Sequence, residues 1–269
     1  MIPGRSLSIG LTLFGVTVIV VLPIAAIVGA MHGVTPALFW AAISTPRDLA
    51  AYRLTFGASL AAALIDVVLG FLIAWVTVRY RFLGRELLNA AIDLPFALPP
   101  PVSGIALATL YAKDGWIGAL TNRLGLPIAY TSLGVVVALA FVGIPFAVRT
   151  LQQTIETLPK EFEEASAILG AGGVTTFLRV ALPLLLPSCL AGFAMTFARG
   201  LGEYGSVIFI AGNKPNVTEI VPLVIVSKLE QYDYAGATSL AVTMLVISFV
   251  LLAGINVLRR GLISRQVAE

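Results

Sequence analysis

The sequence holds one cysteine and one histidine in 269 residues, and charged side chains make up only 12% of it. A single cysteine, Cys189, excludes an internal disulfide, and its apolar surroundings hold no cluster of metal ligands. With His32 as the sole histidine, a multi-histidine metal centre is excluded, and a Ser-His-Asp relay would rest on that residue alone. No stretch fits GxxxxGK(S/T), so the chain has no phosphate-cradling loop of its own. Soluble domains carry about 25% charged residues, roughly twice the share found here. What fills the chain instead is apolar: 58% of residues are hydrophobic, and the mean hydropathy is +0.97. That surplus exceeds what one soluble core absorbs and predicts an all-α protein that crosses a membrane several times. The formal charge of +3 does not point to nucleic acid, because the cations sit between apolar runs and near the end of the chain.

Six runs of about 20 residues are long enough to span a bilayer. They cover roughly 9–31, 55–78, 88–111, 132–150, 187–210 and 238–258 by hydropathy. The first is too long for the ~7–15-residue core of a signal peptide and reads as a retained span. The cations set the orientation. If the N-terminus is inside, the inner side carries Arg5, Arg79, Arg81, Arg85, Arg149, Lys160, Arg179, Arg259, Arg260 and Arg265. The outer side then carries only Arg47, Arg53, Lys113, Arg123, Lys214 and Lys228. Both termini and the connection 151–186 are therefore expected in the cytoplasm. The outer connections are expected to be short ordered loops. No repeat or linker divides the chain, so a single domain, 1–269, is expected, with a core over 55–258.

The connection 151–186 is the least apolar part of the chain and holds four acids, Glu156, Glu161, Glu163 and Glu164. Thr157-Leu158-Pro159 predicts a helix start, with a capping hydroxyl and a proline in the first turn. The acids then sit near the positive end of the helix dipole. Phe162, Ala165, Ile168 and Leu169 recur at helical spacing. Gly170, Gly172 and Gly173 predict a sharp turn. Thr175 can cap a second short helix that stops at Pro183. An amphipathic helix lying on a membrane surface would want a basic polar face, and this one is acidic.

Two stretches place polar groups inside the apolar runs. Gly192, Thr196, Arg199, Gly202, Glu203 and Ser206 share one face if the fifth span is continuous. Charges at that depth tend to pair and to face a bundle interior or a wet cavity. Arg199 and Glu203 are candidates for a pair, either as a structural tie or as part of a path that offers positive potential to an anion. In the third span Asp93 is followed by Pro95, Pro99, Pro100 and Pro101, which must bend or break the helix. Freed carbonyls are tolerated there only inside protein or beside water, which suggests a bend next to a path. Thr196, Ser206, Asp93, Pro99 and Pro100 join Arg199 and Glu203 as candidate path residues. Asp66, in the second span, is expected to meet a polar partner.

These residues carry a resemblance. Permease subunits of ABC importers share a signature of Glu-Ala-Ala, three residues, Gly, nine residues, Ile, one residue, Leu-Pro. This chain has Glu164-Ala165-Ser166, Gly170, Val180, Leu182 and Pro183 at that spacing, with serine for the second alanine and valine for isoleucine. The stretches 79–107 and 198–237 resemble the T-type permease of bacterial sulfate/thiosulfate ABC importers, and molybdate and tungstate permeases are similar. The resemblance implies a type I importer permease fold with a coupling helix between the fourth and fifth spans, in the bacterial inner membrane. It implies that Glu164 through Pro183 dock onto an ATP-binding subunit, which alone binds ATP and magnesium. It also implies a second, W-type permease, two copies of the ATPase and a periplasmic sulfate-binding protein. An ion-gradient transporter working alone would explain six spans but not the Gly170-to-Pro183 spacing.

Overall fold

A computed structural model describes residues 5–268, and the regular elements among them are all helical. The side chains of Arg5 and Arg265, which contribute to the charge bias, lie outside the described set. The chain opens with α1 (Arg5–Val16), a π-helical turn (Thr17–Val21) and α2 (Leu22–Gly29), together one apolar rod. None of its span Leu7–Gly29 is buried against the rest of the chain. A short α3 (Pro36–Ile43) leads to α4 (Pro46–Arg79), which is 34 residues long. Next come α5 (Arg85–Ala97) and α6 (Pro100–Tyr111), bent by 114° to each other. A short α7 (Gly118–Arg123) precedes the long α8 (Ser132–Thr157). Then follow α9 (Glu161–Ile168), α10 (Gly173–Thr176), a second π-helical turn (Phe177–Ala181) and α11 (Leu182–Leu201). The chain finishes with α12 (Val207–Ala211), α13 (Val221–Glu230) and α14 (Tyr234–Ala268). Among the described residues, five helical spans are long and apolar enough to cross a membrane, or six with the bent α5–α6 pair counted as one.

The centre of the fold is α4, α8 and α11. The buried face of α4 reads Asp48, Ala51, Thr55, Ala58, Ser59, Ala62, Ala63, Asp66, Gly70, Phe71, Ala74 and Thr77, small residues at helical spacing apart from Phe71. Small side chains let backbones approach, and close packing is what holds helices together in lipid, where apolar contact alone gives no preference. The approach is tight: a β-carbon on Gly70 would lie 2.9 Å from that of Ala147 in α8. The opposite face of α4 exposes Leu60, Leu64, Val68 and Leu72, side chains suited to lipid. Three apolar clusters continue the core: Val135, Leu139, Val207 and Ile210 at one end, Phe71, Leu151, Ile155 and Leu185 at the other, and Phe197, Leu201, Val221 and Leu240 where α11, α13 and α14 meet.

Several helix ends differ from expectation, each for a local reason. The second span begins at Pro46, nine residues before the apolar run, because the Thr45 hydroxyl caps it by accepting from Asp48 N–H and Pro46 suits the first turn. Thr157 does not cap the next helix. It is the last residue of α8, and its hydroxyl donates back to Gln153 O at 3.3 Å and Thr154 O at 2.9 Å. Thr175 caps nothing either; the N-cap position of α10 is Gly172. The helix does not stop at Pro183, for Gly173–Leu201 runs as one span of 29 residues. Proline lacks an N–H and crowds the preceding turn, and the wide π-helical turn absorbs both, with Leu182 N–H donating to Phe177 O. The fifth span ends at Leu201, not near 210, and α13 occupies part of the stretch expected as loop.

Candidate functional site

Most of the candidate residues fall in two places, the segment 158–183 and the turn after α11. In the first, α9 ends in a turn at Gly170, whose φ of +83° lies in the left-handed region that glycine adopts without strain. Gly170 N–H donates to Ala167 O at 2.9 Å and Ala171 N–H to Ser166 O at 3.1 Å. The hydroxyls of Ser166 and Thr176 bond at 2.9 Å and tie the two limbs together. Glu164, Ala165 and Gly170 are exposed at the resulting tip. Ile168 and Leu169 are 86% and 87% exposed, and Phe162 and Val174 stand out beside them. The helical stripe expected from the sequence therefore faces outward, not onto the bundle. Val180, Leu182 and Pro183 lie farther along, on the shaft that runs into α11, and are not part of the tip.

In the second place the polar residues do not share one helical face, because α11 ends at Leu201 and Glu203 and Ser206 sit in the turn beyond it. Glu203 still meets Arg199, and Ser206 meets Glu203. Arg199 Nη2 pairs with Glu203 Oε2 at 2.6 Å, with the arginine side chain 34% exposed and the glutamate 1%. Glu203 Oε1 accepts from Ser206 N–H at 3.0 Å and from the Ser206 hydroxyl at 2.7 Å. The carboxylate is thus held by three donors, which is what a buried charge requires. Among the described residues, Glu203 is the ion-pair partner of the Arg199 guanidinium, whose other N–H donors stay available. Thr196 is buried nearby, but its hydroxyl donates to Gly192 O and Phe193 O of its own helix.

The proline break lies against this turn. α5 stops at Ala97, Pro99 occupies the N-cap position of α6, and Pro100 opens it. A β-carbon on Gly205 would lie 2.7 Å from that of Pro100, and one on Gly104 would lie 2.4 Å from Ser206 O. Gly104→Ala is expected to destabilise the chain by about 1–3 kcal/mol, because the obstacle is backbone and cannot swing aside. The measurement is a fall in thermal unfolding temperature in detergent, and an unchanged midpoint removes the tight-contact account.

Asp93 is not part of that cluster. It pairs with Arg149 of α8 through Nε at 3.0 Å and Nη2 at 2.5 Å. Arg149 also donates to Gln152 Oε1 at 2.7 Å and Asn89 O at 3.1 Å, and Gln152 donates to Thr77 at 2.8 Å. This network joins α5 to α8 and α4. The sequence offers one sign of it, Arg149 and Gln152 three apart on a helix. Asp66 also departs from expectation: it is 1% exposed, and neither carboxyl oxygen has a hydrogen-bond partner among the described residues. It fits because Gly143 faces it without a side chain, a β-carbon there falling 2.1 Å from Oδ2.

Comparison with known proteins gives these sites a context. Residues 66–265 match the family described as binding-protein-dependent transport system inner membrane component. The chain is 46% identical over 246 residues to the probable sulfate transport system permease protein cysT of Nephroselmis olivacea, covering 91% of this chain and 87% of that protein. It is 43% identical over 259 residues to the sulfate transport system permease protein CysT of Escherichia coli, covering 96% and 94%. Among solved structures, a bacterial ABC transporter involved in the import of the acidic polysaccharide alginate superposes with a TM-score of 0.76 at 16% identity, covering 96% of each chain. The MetNI methionine ABC transporter, in an inward-facing form, gives 0.59 at 15% identity, covering 85% of this chain and 99% of that one. At such identities the likeness shows fold alone, that of ABC importer permeases. Family match and near-full-length relatives agree, and this chain belongs to the inner membrane components of binding-protein-dependent transport systems.

Proposed function

We propose that this chain is the membrane-spanning permease subunit of an ATP-driven importer of sulfate and thiosulfate. One observation carries the mechanism: an exposed apolar tip, Ile168 and Leu169 beside Gly170, stands clear of the bundle on a chain with no phosphate-cradling loop. Exposed apolar residues grouped on a short ordered helix suit a protein partner. The partner in this reading is an ATPase subunit that binds ATP and magnesium and receives Glu164, Ala165, Ser166 and Gly170. Val180, Leu182 and Pro183 pass the movement into α11. The names of the relatives supply the substrate class.

In the full assembly this chain pairs with a related W-type permease, two ATPase copies and a periplasmic sulfate-binding protein. The cation bias puts both termini and the tip on the cytoplasmic side of a bacterial inner membrane. ATP binding draws the two tips together and biases the permease pair from an inward-facing to an outward-facing state. The free guanidinium donors of Arg199, next to the proline break and the turn 203–206, offer the anion hydrogen bonds on its way. Glu203 and Ser206 hold that arginine in place, and Pro99 and Pro100 shape the wall. Asp93 belongs to the α5–α8 tie and supports the wall indirectly.

Reconstitution of the assembly in vesicles tests the reading. Uptake of radiolabelled sulfate should require ATP, the ATPase and the binding protein, and unlabelled thiosulfate should compete while molybdate does not. Uptake by this chain alone, indifferent to ATP, overturns the importer reading. Competition by molybdate equal to that by unlabelled sulfate reassigns the substrate to molybdate or tungstate.

A further inference from the structure

The helix α4 ends at Arg79, where the segment 158–183 leaves the bundle. The Arg79 side chain is 10% exposed. Its Nη2 donates to Leu158 O at 3.2 Å, in the connection between α8 and α9. The same nitrogen pairs with Glu163 Oε1 at 2.7 Å, in the first turn of α9. Its guanidinium carbon lies 5.5 Å from the centre of the Trp75 ring, one turn back along α4. Trp75 meets Phe177 edge-on at 5.7 Å, and Phe71 meets Phe177 at 5.5 Å. Phe177 opens the π-helical turn on the far side of Gly170.

Both limbs of the tip are therefore fastened to α4, the first through Arg79 and the second through Trp75 and Phe71. Covalent continuity links the limbs only to α8 and α11. The link to α8 runs through Leu158-Pro159-Lys160, which has no helix to transmit a push. An arginine that is mostly buried, 2.7 Å from a carboxylate oxygen and lying over an indole, is a firmer joint than an exposed ion pair. The buried face of α4 is packed tightly on its neighbours, through Gly70 on Ala147 and through Ser59 on Gly200. A displacement delivered at Arg79 is thereby carried along the central helix of the bundle.

We infer that Arg79 is the positioning residue through which the tip moves α4, so that the drive from the ATPase enters the bundle at this joint and not only through α8 and α11. The inference rests on the docking role proposed above. Its chemistry is an interhelical ion pair whose geometry, and not merely whose presence, sets how much substrate moves per ATP.

The test uses the complete importer in vesicles, with radiolabelled sulfate and ATP. Three quantities are read: ATPase subunit co-purifying with the permeases, ATP hydrolysed, and sulfate imported per ATP. Arg79→Glu is expected to keep the co-purifying ATPase and its hydrolysis while sulfate per ATP falls about tenfold. Glu163→Gln, on a solvent-facing helix that folds without the pair, should lower the ratio about threefold. The exchanged pair, R79E with E163R, should recover about half of the ratio, since the ion pair returns but the stacking on Trp75 does not. An unchanged ratio in Arg79→Glu and Glu163→Gln overturns the inference, as does an exchanged pair no better than Arg79→Glu alone. Leu169→Asp separates this from the docking role. If that variant keeps both its ATPase and full import, the docking reading falls and this inference falls with it. If it loses the ATPase while the Arg79 variants transport normally, only the positioning role is removed.

Discussion

Arg199→Met should lower the stability of the folded chain by about 2–3 kcal/mol, and adding Glu203→Gln should recover most of that loss. Glu203 is 1% exposed and sits beside α11 with Arg199 as its ion-pair partner. Removing one partner of a buried pair costs about 3–5 kcal/mol, because the remaining charge stays in a low-dielectric site. The lower figure applies here because the arginine is one-third exposed and Ser206 still donates twice to the carboxylate. Neutralising both groups removes the stranded charge, so the double variant is expected to unfold close to the parent. Thermal unfolding in detergent reads this part. Sulfate uptake reads the other part: if Arg199 also offers donors to the anion, the double variant folds normally and transports poorly. Restored folding together with restored uptake assigns the pair a purely structural role. Equal instability in the single and double variants removes the account of a buried pair altogether.

Gly170→Val should leave the spans folded and sharply reduce sulfate imported per ATP. The φ of +83° at Gly170 costs an L-residue about 1–2 kcal/mol, and a β-branched residue more. A β-carbon at Gly170 meets nothing within 4 Å inside the chain, so the strain is conformational and confined to the tip. The turn would reopen, moving Leu169 and Ala171 away from the positions in which they face a partner, while the core is untouched. Gly170→Asn separates two causes, since asparagine tolerates the left-handed region. Near-normal coupling in Gly170→Asn means that the backbone angle is what matters. Loss in both variants means that the partner approaches too closely for any side chain. Full coupling in Gly170→Val removes the tip from the coupling route.

Much of the architecture is legible from residue order. Apolar runs mark the spans because a bilayer demands about 20 apolar residues per crossing, and that demand is local. The prolines at 99–101 mark a break for equally local reasons. Gly170 as the end of α9 follows from the rarity of positive φ in other residues. The signature from Glu164 to Pro183 points to the right segment, although only its first half forms the exposed tip.

What escaped the sequence involves contacts between distant residues. The run 187–210 is interrupted by Arg199, Gly202, Glu203 and Ser206, but polar groups in a span read equally well as a path-facing stripe, so they do not by themselves place the helix end at Leu201. The end becomes intelligible once the turn 203–206 is seated against Pro100 and Gly104. Asp93 looks like a path residue until Arg149, 56 residues away, is seen beside it. Asp66 calls for a polar partner by rule and instead faces the bare backbone of Gly143. Arg79 enters the sequence reading only as one more inner cation, and its place between Trp75, Leu158 and Glu163 depends on how α4 and α8 pack. By itself the sequence determined that the chain is helical, crosses the membrane about six times and carries an acidic, glycine-turned segment between its fourth and fifth spans, since each rests on periodicity, hydropathy or the allowed φ of a few residues. Which charges pair, where the fifth span breaks off and which helix the tip is fastened to were decided only by the tertiary structure, because each depends on side chains tens of residues apart being brought within a few ångströms.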